Sequence, residues 1–194
     1  MNLPTLAYWL FAYLLGSLPF GLWVTRLVKG VDVRDAGSGH VTTTNTIRQA
    51  GRLAGAVVFL LDLGKGYLAL WLSLQAGLGA GSLALSAALV VAGHCWPVFA
   101  QFRGGMGLAT MGGALLAVSP TGFLLSGATL AILILVLRYR ARASLIAALV
   151  SPLILWGLGF PSDAVFVAVA AGVVVAIRFT IDWNRKYPER GTTN

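Results

Sequence analysis

Three short polar segments interrupt an otherwise apolar chain, and each has a composition suited to holding an anion or moving a proton. The first runs Asp35-Ala-Gly37-Ser38-Gly39-His40-Val-Thr-Thr-Thr44-Asn45-Thr-Ile-Arg48. Its glycines let the backbone turn successive N–H groups toward one point, and its hydroxyls and amide add donors, which suits an anion. A plain loop would use the same residues. The second is Asp62-Leu-Gly-Lys65-Gly66. Charges three residues apart share a helix face and can neutralise each other. Inside a membrane such a pair is expensive, and it marks either a functional site or an ion pair locking helices together. The third is Gly93-His94-Cys-Trp-Pro97-Val-Phe-Ala-Gln-Phe-Arg103-Gly104-Gly105-Met106-Gly107-Leu-Ala-Thr110. Pro97 should disturb the end of one apolar helix. Gly104, Gly105 and Gly107 then open another, whose free N–H groups beside Arg103 make a phosphate cradle. The Gly-Lys-Ser/Thr ending of a nucleotide P-loop is missing. His94 suits a general base, a hydrogen-bond donor, or a structural place at a helix end. Two histidines and the single Cys95 offer no metal-ligand spacing and no disulfide, and no Gly-x-Ser-x-Gly elbow is present. Neither metal nor cofactor is expected.

The elements that must position these groups are membrane helices. Hydrophobic residues make up 58% of the chain and charged residues 10%, against about 25% charged in soluble domains. So little polar surface cannot solvate a soluble sphere of this size. Seven apolar segments are expected, at 4–28, 53–75, 82–101, 108–119, 121–137, 143–158 and 163–181, and the fourth is too short to span alone. A short membrane helix needs ends that face protein or a wet cavity. Every second gap between segments carries Lys or Arg. Arg26, Lys29, Arg34, Arg48 and Arg52 surround the first, Arg103 is in the third, Arg138, Arg140 and Arg142 fill the fifth, and Arg178, Arg185, Lys186 and Arg190 close the chain. The gaps at 77–82, 118–122 and 158–163 have none. Basic residues stay preferentially in the cytoplasm, so the N-terminus is expected outside and the C-terminus inside. Lys65 alone breaks the pattern. The first residues carry no basic leader, so 1–194 is read as one mature transmembrane domain. The net charge of +8 is spread over alternate loops with no aromatic-interleaved patch. That argues against nucleic acid and for topology, with some attraction to anionic headgroups or phosphorylated substrates. Asp182, Trp183 and Tyr187 lie at the same border, where aromatic anchoring is expected.

Taken in order, Gly37-Ser-Gly-x-x-x-x-Thr44-Asn45-x-x-Arg48, Asp62-x-x-Lys65-Gly66 and Gly93-His94-x-x-Pro97-Val-Phe-x-x-Phe-Arg-Gly-Gly-x-Gly-x-Ala-Thr110 resemble the bacterial acyl-phosphate-dependent glycerol-3-phosphate acyltransferases, the PlsY family. The likeness extends from the first span to about residue 182. It implies an all-α, seven-helix membrane bundle with one or more short helices in the bacterial inner membrane. The implied reaction moves a fatty acyl group from acyl phosphate to the 1-hydroxyl of glycerol 3-phosphate at the cytoplasmic face. Lysophosphatidic acid and phosphate are the products. On this reading Arg48, Lys65 and Arg103 bind phosphate, and the turns at Gly37, Gly39, Gly104, Gly105 and Gly107 supply backbone donors. Ser38 and His94 orient or deprotonate the acceptor hydroxyl, although a substrate phosphate can serve as the base. Thr44, Asn45 and Ser144 make further contacts, Asp62 holds Lys65, and His40 and Arg178 support. Membrane lipid is the other expected partner; the sequence leaves the oligomeric state open.

The chain departs from the family pattern at several places. His40 stands where the family has Asn, and Thr42-Thr43 where it has Gly-Ala. Met106 replaces a lysine of the Gly-Gly-Lys-Gly turn, and Phe179 replaces a His. Ala141 replaces a Ser while Arg140 and Arg142 are gained. A charge-assisted hydrogen bond contributes about 1.5–3 kcal/mol, so loss of the lysine predicts roughly tenfold to a hundredfold weaker phosphate binding. Two alternatives follow: a non-catalytic or substrate-shifted paralogue, or a small transporter of phosphorylated solutes. Against the transporter, no internal repeat is visible and the polar groups gather toward one side.

Overall fold

The computed structural model describes residues 3–183; Arg185, Lys186, Tyr187 and Arg190 lie outside them. Nine α-helices are found among these residues, and no strand. They are α1 (Leu3–Gly16), α2 (Phe20–Lys29), α3 (Thr43–Ala50), α4 (Arg52–Gln75), α5 (Ala80–Cys95), α6 (Leu108–Val118), α7 (Pro120–Leu137), α8 (Arg140–Gly157) and α9 (Ser162–Ile181). Six stretches are long and apolar enough to cross a bilayer, and α6 is the short one.

The stretch expected as one helix over 4–28 is broken. α1 ends at Gly16 and α2 begins at Phe20. Pro19 is the cause: it has no N–H to give and disfavours a helical conformation at Leu18 before it. The break leaves the Leu18 carbonyl without a helical partner. The stretch expected over 82–101 likewise ends its α-helix at Cys95. Pro97 then starts a 3-10 turn, Val98–Ala100.

α5 is central. Its Leu83, Ala87, Val90, Val91 and Cys95 are buried in one apolar cluster with Leu70 of α4, Met111 of α6 and Val167, Ala171 and Val175 of α9. Small residues bring the helices close, as membrane packing favours. A methyl on Gly66 would collide with the Thr110 carbonyl, and one on Gly113 with the Leu63 carbonyl, so α4 and α6 touch backbone to backbone. α7 contributes little to the interior; almost all of it faces outward.

Candidate functional site

The three polar segments converge. Asp62 and Lys65 project from α4, one turn apart, with Lys65 Nζ 2.9 Å from Asp62 Oδ1. Lys65 also donates to the carbonyl of Leu18 (3.0 Å), which lies in the break at Pro19 and also accepts the Phe20 N–H (3.1 Å). His94, in the last turn of α5, places Nδ1 3.4 Å from the same Asp62 oxygen. All three side chains are buried. Together with Leu18, Pro19, Val41, Pro97 and Gly104 they line one narrow crevice. One carboxylate thus faces an ammonium and an imidazole. An Nδ1–H turned toward that carboxylate would leave Nε2 as the nitrogen able to accept a proton.

The turn after α5 closes over His94. The Gly105 N–H donates to the His94 carbonyl (3.0 Å), and Val41 N–H donates to the Gly104 carbonyl (3.2 Å). A methyl on Gly105 would strike His94 Nε2 and the Val41 carbonyl, and one on Gly104 would strike the backbone of His94 and Cys95. These glycines were expected as open phosphate donors. The Gly105 N–H is instead spent within the fold, because the crevice requires the backbone to lie against the imidazole. Gly107 has φ +87° and starts α6. Arg178, inward-facing on α9, donates from Nε to the Gly105 carbonyl (3.0 Å), with its guanidinium 5.7 Å from the Trp96 ring centre.

The glycine loop is built around Asn45. Its amide nitrogen lies 2.8 Å from the carbonyl of Val33, 3.0 Å from that of Ala36 and 3.1 Å from that of His40. Its Oδ1 accepts from the Ser38 N–H (3.3 Å). Asn45 was expected to touch substrate; fully buried and engaged by the loop, it shapes the loop instead. The positive φ of Gly37 and Gly39 makes the reversal, and a methyl on Gly37 would meet Asn45 Oδ1. The Gly39 N–H is likewise internal, donating to the Ala36 carbonyl (3.1 Å). Ser38 is half-buried at the loop tip.

A second anchor lies outside the spans. Asp32 accepts from the Arg34 backbone N–H (2.9 Å), from Arg34 Nη2 (2.7 Å) and from Arg26 Nη2 (2.6 Å). Hydrogen bonding to Arg34 holds its carboxyl well below the usual range, and Arg34 is pushed up in return. Arg34 also reaches the Ala100 carbonyl (3.1 Å), tying this loop to the turn after α5. Arg103 donates to the Arg34 carbonyl (3.2 Å) and lies 3.6 Å from the exposed Asp35.

Other expected residues are placed apart. Thr44 and Arg48 are exposed on α3, and Ser144 is buried near the start of α8; none lines the crevice. Met106 and Phe179, expected as replacements of a family Lys and His, both belong to the apolar cluster around α5. Sequence reasoning missed Leu18 and Pro19, although a proline within an apolar run was a visible signal. It also read Asp182 as a border residue. Asp182 Oδ1 lies 3.1 Å from His40 Nε2, and both side chains are buried.

A family model described as glycerol-3-phosphate acyltransferase matches residues 6–186. A glycerol-3-phosphate acyltransferase of Jannaschia sp. (strain CCS1) is 43% identical over 166 residues, covering 85% of this chain and 81% of that protein. Another, from Aquifex aeolicus (strain VF5), is 38% identical over 177 residues, covering 91% and 92%. The crystal structure of PlsY (YgiH), an integral membrane glycerol 3-phosphate acyltransferase, in its glycerol 3-phosphate form superposes with a TM-score of 0.84. The two are 36% identical, covering 97% of this chain and 96% of that one. The lysophosphatidic acid form gives 0.82 at the same identity, covering 94% and 91%. This chain is an all-helical integral membrane protein and belongs to the glycerol-3-phosphate acyltransferase family.

Proposed function

We propose that this protein transfers a fatty acyl group from acyl phosphate to the 1-hydroxyl of glycerol 3-phosphate, yielding lysophosphatidic acid and inorganic phosphate. The observation that carries the reading is the Asp62–His94–Lys65 cluster, closed in by Gly104 and Gly105, in a chain of this family. The acceptor oxygen attacks the acyl carbonyl carbon, the bond from that carbon to the bridging phosphate oxygen breaks, and phosphate leaves with its electron pair. Phosphate is a good leaving group, so no covalent intermediate on the protein is needed. The site's work is to bring two anions together and stabilise charge on the carbonyl oxygen. Asp62 orients His94 so that Nε2 takes the hydroxyl proton. Lys65 and Arg103 neutralise phosphate charge, Ser38 holds the acceptor, and Arg178 and Asn45 hold the two turns in place. Arg48 meets the soluble substrate at the entrance. The basic gaps support a cytoplasmic setting for this end of the bundle, and the family resemblance supports the bacterial inner membrane. The whole chain acts as one domain.

A substrate-shifted or non-catalytic paralogue is the second reading. The packing of Met106 and Phe179 onto one apolar cluster favours it, because two polar positions of the family pattern are lost together. Acyl transfer with labelled glycerol 3-phosphate and palmitoyl phosphate separates the two, measured on purified protein in lipid beside Met106→Lys. Lysophosphatidic acid from the native chain is expected. Product only from Met106→Lys would favour a lost phosphate contact. No product from either folded protein would overturn the enzyme reading.

A further inference from the structure

An apolar groove of about 330 Å³ runs along α8 and α9, lined by Leu149, Val173, Ala176, Ile177, Thr180 and Ile181. It lies on the outer face of α9. Val175, Arg178, Phe179 and Asp182 on the same helix are buried, facing the interior. α9 therefore stands between the groove and the crevice that holds His94 and Lys65.

The groove ends among cations. Ile181 leads to Trp183, and the Arg142 guanidinium of α8 lies 5.9 Å from the Trp183 ring centre and 4.9 Å from that of Tyr139. Leu149 is seven residues beyond Arg142, two turns along the same face of α8. Arg138 and Arg140 flank Tyr139, and all three arginines are exposed. Arg138 adopts φ +55° at the end of α7, a left-handed conformation that costs a non-glycine residue and turns the chain sharply between two membrane helices. Among the described residues no carboxylate is within salt-bridge distance of Arg138, Arg140 or Arg142, whereas Arg26, Arg34 and Arg103 each have one.

We propose that this groove and its arginines form a seat for one anionic phospholipid of the surrounding bilayer, separate from the acyl-transfer site. An acyl chain fills the apolar groove, the phosphate and its anionic headgroup lie against Arg142 and Arg138, and Trp183 and Tyr139 flank the glycerol region. Guanidinium groups with no carboxylate partner among the described residues, beside aromatic rings at the end of a greasy groove, match an amphiphile with a negative head. The position of the groove, with α9 between it and His94, assigns it to a resident lipid rather than to the reacting acyl donor. The assignment holds whether or not the protein turns over.

Brominated lipids test it through tryptophan fluorescence. Native protein and Trp183→Phe are reconstituted in phosphatidylcholine containing either dibrominated phosphatidylglycerol or dibrominated phosphatidylcholine, and the difference isolates Trp183. The Trp183 signal should be quenched preferentially by brominated phosphatidylglycerol, with relative binding favoured by about fivefold per contributing arginine. Arg138→Gln/Arg142→Gln should abolish the preference. High salt should weaken it in the native chain, a measurement that needs no arginine variant to fold. Equal quenching by both lipids, or a preference that survives loss of both arginines, would overturn the proposal. So would relief of quenching by a few mole per cent of palmitoyl phosphate, which would give the groove to the acyl donor.

Discussion

His40, on the loop between α2 and α3, is 3.1 Å from Asp182 at the end of α9, and both side chains are buried. The same last turn of α9 carries Arg178, which holds Gly105. One helix end thus clamps both glycine-rich turns. Replacing Asp182 by Ala leaves His40 without that partner, at a cost of about 1–3 kcal/mol. Thermal unfolding in detergent should show that loss. KM for glycerol 3-phosphate should rise more than kcat falls, and Asp182→Asn should recover most of both. An unchanged KM in a destabilised protein would reduce the clamp to a purely structural role.

The Asp62–Lys65 pair gives a sharper test. Asp62→Asn leaves the Lys65 ammonium without its counter-charge in the interior and should destabilise by about 3–5 kcal/mol, as should Lys65→Met, which leaves the carboxylate with only His94 beside it. The double substitution removes both charges and should unfold near the native temperature, yet show no acyl transfer. A double variant that folds and turns over normally would make the pair a structural lock.

His94→Ala should lower kcat by about 10²–10⁴-fold if Nε2 takes the hydroxyl proton. Gly105→Ala makes the complementary change, since its methyl would strike Nε2 and the Val41 carbonyl while leaving the imidazole itself in the chain. It should depress kcat, and thermal unfolding in detergent should show the cost of the clash with the Val41 backbone. Full turnover in purified His94→Ala would pass the proton to a substrate phosphate.

Acid should loosen the Asp32 anchor. A carboxyl held below its ordinary value contributes stability that is fully present above the unfolded pKa of about 4. That stability is lost as pH falls from there toward the lowered folded value. Melting temperatures of native protein and Asp32→Asn should therefore differ at pH 7 and converge in acid. The difference at neutral pH should correspond to about 1–3 kcal/mol. Parallel curves at all pH values would contradict the anchor.

The legible parts of this fold were those written in local composition. Alternating basic gaps outlined the spans, and Gly37-Ser-Gly, Asp62-x-x-Lys65 and Gly93-His94 marked the segments that meet. Pro97 ended its helix where a proline should. The illegible parts depended on partners far apart in the chain. Nothing near Lys65 shows that the Leu18 carbonyl will receive it, because that acceptor exists only once Pro19 has broken another helix. His40 and Asp182 are 142 residues apart, and no periodicity links them. Asn45 and Gly105 looked like ligands because residues that shape a turn and residues that bind within it are drawn from the same small polar set.

The brevity of α6 has a consequence of depth. Its 11 residues rise about 16 Å, roughly half of a hydrocarbon core about 30 Å thick. The irregular segment from Pro97 to Gly107 joins it to α5. Asp62 is likewise about 15 Å along α4 from Arg52. On the proposed function, a water-soluble reactant would have to pass into the greasy slab to meet the imidazole, while a lipid-borne one could meet it side-on. Bulk ions screen charges poorly at such a depth. Salt should therefore weaken recruitment at the rim more than the chemistry at the floor.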